Sequence, residues 1–149
     1  MPNDSSSQSS AITPQLRLEI EALSVEFAWL VDHGQADKAA DLFTDNATLD
    51  NGEVFSGIGS IRGALEKRAA LPTRSRHLIS NVRLAGETPD RVRGTVVMTV
   101  HRRADDLDTA PETVIIAEAD DVYERDAAGR WRFAQRRLTP IFMRTIGKE

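Results

Sequence analysis

Residues 77–103, HLISNVRLAGETPDRVRGTVVMTVHRR, decide the fold. Two runs rich in β-branched residues flank ETPD, a cluster that favours a turn, so the stretch predicts two long strands joined as an antiparallel hairpin. The pattern continues in ETVIIAEADDVYER and RWRFAQRRLTPIF, with ADDLDTA and DAAG as the loops between strands. The second half of the chain therefore reads as a meander.

Upstream the period changes. Thr13 followed by Pro14 opens a helix, a hydroxyl at the N-cap and then a proline in the first turn, where no amide hydrogen is missed. Leu16, Ile20, Leu23, Phe27 and Leu30 recur at helical spacing, and Leu18, Ala22, Val25 and Trp29 form a second apolar row beside them. Such a broadly apolar helix is expected to lie against a sheet. Gly34 supplies its left-handed C-terminal residue. A second helix is expected from Ala36 to Phe43, a hairpin centred on Asn51-Gly52, and a third helix from Ile58 to about Leu71, stopped by Pro72. Helices first and a meander afterwards predict an α+β fold, with three N-terminal helices on one face of a curved, mostly antiparallel sheet. No internal repeat is present.

The 149 residues suit one domain, expected over 13–146, preceded by a disordered tail over 1–12 that begins MPNDSSSQSS. The net charge of −4 comes from 23 acidic and 19 basic residues that are interleaved, leaving no basic face to neutralise a phosphate backbone. Nucleic acid is not an expected partner. Absence of cysteine removes disulfides, thiolate metal sites and cysteine nucleophiles together. With no signal-peptide pattern and no membrane-length apolar run, a cytoplasmic protein is expected.

One residue breaks the pattern of the first helix. Asp32 follows Val25 and Trp29 at helical spacing, so all three are expected to point inward. The last turn of a helix disfavours a negative charge, and a buried carboxylate there requires a partner.

The order of elements, with the strings RSRHLISNVRL and YERDAAGRWRFAQRR, resembles the SnoaL-like branch of the nuclear transport factor 2-like superfamily from about Leu16 to Phe142. The resemblance implies a cone-shaped barrel, in which a strongly bent sheet wraps around the helices and leaves a pocket open at one end. Known members include scytalone dehydratase, hexachlorocyclohexane dehydrochlorinase, steroid isomerase, polyketide cyclases and dioxygenase small subunits, so the fold alone names no reaction. The dehydratase and the dehydrochlorinase pair an Asp at the end of the first helix with a His early in the first long strand. Here these positions are Asp32 in LVDHG and His77 in RHLISN. The dehydrochlorinase arginine five residues after a tryptophan falls on Arg136 in WRFAQR, and the second histidine of the dehydratase falls on His101 in MTVHRR.

An imidazole held by Asp32 through one ring nitrogen is expected to have its tautomer fixed and its basicity raised, leaving the other nitrogen to take a proton from a substrate. Arg136 is the expected stabiliser of a departing anion or an enolate, and His101 the expected general acid. Arg137 adjoins Arg136, and strand alternation sends only one of them inward. Trp29, one turn before Asp32, and Asn81, four residues beyond His77 on the same strand face, are the substrate-binding candidates. Otherwise Trp29, Phe27, Phe55, Met98, Trp131 and Phe142 are expected in the core. His33 is expected to cap its helix.

Three histidines without tight spacing make no ligand set, and SGIGSIRG lacks the strand-turn-helix context of a dinucleotide fingerprint, so neither metal nor cofactor is expected. Tyr123 is the sole tyrosine, whereas scytalone dehydratase polarises its substrate with several. The expected activity is a cofactor-independent lyase, dehydratase-like, or isomerase acting on a small hydrophobic cyclic compound. The alternatives are a non-catalytic binding or assembly module and a polyketide cyclase. A homo-oligomer, dimer or trimer, is implied by the resemblance.

Overall fold

The computed structural model describes residues 10–104 and 111–147. The expected N-terminal tail up to residue 9 and most of the ADDLDTA loop lie outside these residues. Ile12 packs on the core, and the backbone of Ser10 lies against Gly86.

Helix α1, Pro14–Asp32, starts where Thr13 Oγ1 accepts the Leu16 amide at 3.1 Å. It ends in a Schellman arrangement: Gly34 has φ +71°, and the Gln35 amide donates back to Leu30 O at 2.8 Å. A short 3-10 helix, Ala36–Leu42, takes the place of the expected second α-helix. Strands β1, Phe43–Asp50, and β2, Val54–Ser56, form the small hairpin, and helix α2 covers Ile58–Ala69. Four long strands follow: β3, Thr73–Thr88; β4, Arg91–Ala104; β5, Glu112–Arg125; and β6, Trp131–Ile146.

All six strands form one strongly curved, unclosed sheet in the order β2-β1-β6-β5-β4-β3. Neighbours run antiparallel except β1 and β6, which are parallel, so the last strand inserts beside the first. That pairing joins the hairpin to the meander. Pro140 sits at a bulge in β6, where Ala117 faces Pro140 and Ile116 faces Phe142, so Ile141 is the extra residue. The missing proline amide falls where the ladder is already interrupted.

Helix α1 buries Ile20, Leu23, Phe27, Leu30 and Val31. At roughly 1.5–3 kcal/mol for each buried side chain of this size, that face holds the helix on the sheet. Phe27, Phe43, Phe133 and Tyr123 form an aromatic centre, with Phe43 and Phe133 ring centroids 5.1 Å apart. Met98 and Trp131 are in the core as expected, and Phe55 packs on its margin.

Two expectations about facing are corrected. Val25 and Trp29 are 56% and 58% exposed, because they stand on the flank of α1 that borders an open groove beside β3 instead of packing into the core. Phe142 is 68% exposed, since it lies beyond the β6 bulge on the convex face.

Strand β3 is a free edge, and such edges need a device that occupies their unpaired backbone groups. Helix α1 supplies two. Arg17 Nη2 donates to Val82 O at 2.7 Å, and Asp32 Oδ2 accepts the His77 amide at 2.8 Å. Among the described residues no helix is long and apolar enough to cross a membrane.

Candidate active site

Asp32 belongs to the row Ser24, Ala28, Asp32, whose first two members are buried small residues at four-residue spacing. Small side chains let the sheet approach, so the carboxylate reaches β3 although its nearer neighbour Trp29 faces out. The Asp32 side chain is 5% exposed and that of His77 is 11% exposed. Asp32 accepts three hydrogen bonds: the His77 ring Nδ1 at 2.5 Å and the Ser75 hydroxyl at 2.8 Å on Oδ1, and the His77 amide at 2.8 Å on Oδ2.

Burial works to raise the Asp32 pKa. The bonds from the His77 amide and ring, the charge interaction with His77 and the Ser75 hydroxyl reverse it, and the carboxyl stays below its ordinary value. For His77, burial lowers the pKa, and the bond and charge of Asp32 oppose it. The charges of Arg68 and Arg136 add to the burial effect, and the net direction is down. This corrects the expected rise in basicity: Asp32 raises it, but desolvation and two cations outweigh one carboxylate. The consequence is a neutral imidazole beside an ionised acid at neutral pH. With a carboxylate at Nδ1 the ring proton resides there, and Nε2 carries the lone pair.

Strand alternation sends Arg136 inward and Arg137 outward; the first is fully buried and the second sits 3.8 Å from the exposed Asp120. Arg136 lies opposite Asp121 on the neighbouring strand and grips it with two bonds, Nε to Oδ1 at 3.0 Å and Nη2 to Oδ2 at 3.1 Å. Nη2 also donates to Ser24 Oγ at 3.0 Å, and Tyr123 donates its hydroxyl to Asp121 Oδ2 at 2.8 Å. Burial pushes the Asp121 carboxyl up, with Arg136 pulling against it, and burial also raises the Tyr123 phenol. The guanidinium lies over the rings of Phe27 and Phe133, 4.9 and 4.4 Å from their centroids. Its remaining nitrogen, Nη1, is buried and has no hydrogen-bond partner among the described residues. An unsatisfied cationic donor this deep is costly.

A groove of about 380 Å³ opens between α1 and β3. Asp32 and His77 line it with the apolar Val25, Ala28, Trp29 and Ile79, and His33 and Arg76 supply the remaining polar groups. Trp29 stacks on His33, with ring centroids 3.9 Å apart, and the His33 ring caps the helix as expected, its Nδ1 2.7 Å from Trp29 O. A second cavity of about 380 Å³, bordered by the charged Arg83, Arg93, Asp120 and Arg137 together with Leu84 and Ala85, lacks the dyad.

The structure thus brings Asp32, His77 and Trp29 together, with Arg136 near enough for its charge to act on His77. It does not bring His101 there. Val100 is the cross-strand neighbour of His77, whereas His101 faces Arg76 and so projects from the opposite face, where it pairs with Glu112. Asn81 is also displaced. It has φ +51° at a bulge between Ser80 and Arg83, which breaks the alternation from His77, and it borders a neighbouring groove with Arg17 and Glu21. Sequence reading missed Ser75, Arg68, Ser24, Asp121 and Tyr123. The signal for Ser75 was its position two residues before His77, on the same face; for Asp121, an acid at an inward position of a β-strand.

Residues 14–137 match the model of the SnoaL-like domain family. Among solved structures, the chain is similar to a provisionally assigned scytalone dehydratase from Novosphingobium aromaticivorans, with a TM-score of 0.78 at 16% identity over 89% of each chain. It is similar to hexachlorocyclohexane dehydrochlorinase from Novosphingobium barchaimii, with a TM-score of 0.76 at 18% identity over 89% of this chain and 91% of that one. A protein from Catenulispora acidiphila, in complex with S-DNPA, gives 0.71 at 22% identity over 86% of this chain and 95% of that one. At such identities the likeness establishes the fold. Comparison with curated proteins gives no match.

Proposed function

The chain belongs to the SnoaL-like domain family, and on that premise we propose that it is a cofactor-independent lyase or isomerase acting on a small, largely hydrophobic cyclic compound. The observation that carries this reading is the 2.5 Å contact between His77 Nδ1 and Asp32 Oδ1 at the wall of a mainly apolar groove. His77 Nε2 takes a proton from carbon as Asp32 stabilises the imidazolium that forms. The electron pair of the broken C–H bond becomes a C=C bond, and the leaving group departs with its own bonding pair. A halide leaves as the anion. A hydroxyl on the same face takes the proton back from His77 and leaves as water, so His101 is not required. An isomerase returns the proton to a different carbon. Arg136 is fully buried and does not line the groove, so in this reading it acts on a developing negative charge through its field rather than by contact, and Trp29 offers a flat wall to the ring of the substrate.

The test is a turnover screen with hydroxylated and halogenated cyclic compounds, run on the native protein and on His77→Ala. Product formed by the native protein and lost in the variant is the expected result. Full turnover by His77→Ala removes the proposed base.

Self-association belongs to the same proposal. On the convex face Leu78, Thr99, Ile116 and Phe142 lie side by side across four strands, with Leu78 55% and Phe142 68% exposed. Arg76 and Arg144 lie one step along the strands to one side and Glu118 one step to the other, so a second copy packed with its strands reversed meets opposite charges. Phe142→Asp is expected to reduce the mass measured by light scattering to that of one chain. An unchanged mass in that variant, or a monomeric native protein, excludes this face.

A further inference from the structure

The carboxylate that holds His77 is itself held, by groups from two other elements. Ser75 precedes His77 by two residues on edge strand β3, so both side chains face inward, and Ser75 is 3% exposed. Its hydroxyl lies 2.8 Å from Asp32 Oδ1 and 3.1 Å from Arg68 Nη2. Arginine only donates, so the hydroxyl accepts from Arg68 and its own proton can point one way, to the carboxylate. Arg68 lies in the last turn of α2, where a cation suits the helix dipole, and Nη1 fixes it further through Thr73 Oγ1 at 3.3 Å. The chain runs from α2 through β3 to α1 and back to the ring on β3.

We propose that Ser75 and Arg68 are positioning residues for the dyad: Arg68 orients the Ser75 hydroxyl, and Ser75 occupies Asp32 Oδ1 beside the imidazole, so that the carboxylate holds the ring in one tautomer with Nε2 bare. The proposal rests on the reading of His77 as the base. The geometry gives each member a separate task. Asp32 Oδ2 is committed to the edge amide, so Oδ1 alone holds the ring. Two donors on that oxygen share its charge, which restrains proton transfer from Nδ1 and leaves the imidazole neutral. The charged and titratable groups around His77 are Asp32 and His33 from α1, Arg68 from α2, Arg136 from β6 and Arg76 from its own strand, while Arg102 from β4 acts on Arg68. Removing the Ser75 hydroxyl returns Oδ1 to the imidazole alone and favours its protonated form. Removing the Arg68 charge favours that form as well.

The experiment follows the His77 ring nitrogens by NMR through a pH titration in the native protein, Ser75→Ala, Ser75→Thr and Arg68→Gln, each checked for native fold by circular dichroism. In the native protein the neutral ring is expected with Nδ1 protonated. In Ser75→Ala and Arg68→Gln the midpoint is expected to rise toward the 6.5 of a free imidazole, whereas Ser75→Thr, which keeps the hydroxyl, stays native-like. Unchanged midpoints in folded Ser75→Ala and Arg68→Gln overturn the relay, as does a Ser75→Thr variant that titrates like the alanine. These readouts need no substrate: loss of the relay shows in the spectra, and loss of the catalytic reading shows as turnover retained by His77→Ala.

Discussion

Asp121→Ala is expected to lower the free energy of unfolding by about 3–5 kcal/mol, the range for leaving one member of a buried ion pair without its partner. The Arg136 guanidinium cannot shed its proton, so the charge stays beside Phe27 and Phe133 with Ser24 Oγ as its one remaining hydrogen-bond partner among the described residues. Tyr123 loses the acceptor of its hydroxyl as well. Denaturant unfolding with the slope held in common is the measurement, and a loss below about 1 kcal/mol would contradict the assignment. The double variant Asp121→Ala, Arg136→Leu is expected to recover much of the loss, since an apolar replacement of the whole pair removes the desolvation penalty.

Asp32→Asn is expected to reduce turnover about 10²–10⁴-fold, the usual worth of a positioned general base, with little loss of fold. The amide has one acceptor and one donor end where the carboxylate has two acceptors. If its oxygen keeps the bond to the His77 amide, its NH₂ group faces Nδ1. The ring must then carry its proton on Nε2, the atom that the substrate has to reach. The base is thereby occupied without being removed. Nitrogen chemical shifts of His77 report the tautomer directly, and an Asp32→Asn protein with Nδ1 still protonated and native turnover would refute the role given to Asp32.

The local elements were legible because short-range rules govern them. Thr13-Pro14 and Gly34 bound α1, Asn51-Gly52 marks the first hairpin, Pro72 follows α2, and each long strand announces itself by β-branched residues between turns. The pairing of Asp32 with His77 was legible through family resemblance, and through the physical demand that a carboxylate at a helix end find a donor. The side on which a residue falls was less accessible. Val25 and Trp29 satisfy the apolar period but line the open groove beside β3, and periodicity does not say how wide the contact stripe is.

The chain by itself determined the order of helices and strands, the curved α+β class, and the presence of one acid and one imidazole placed to meet. Only the tertiary structure decided that His77 stands on a free edge with its amide and its ring bound by the same carboxylate. Only it decided that Ser75 and Arg68 stand behind that carboxylate, that His101 faces away, and that Asn81 leaves the face of His77. The physical reason is parity. One bulge reverses which side every later residue of a strand faces, and strand pairing between distant segments decides which edge is left open, so neither can be read from spacing along the chain.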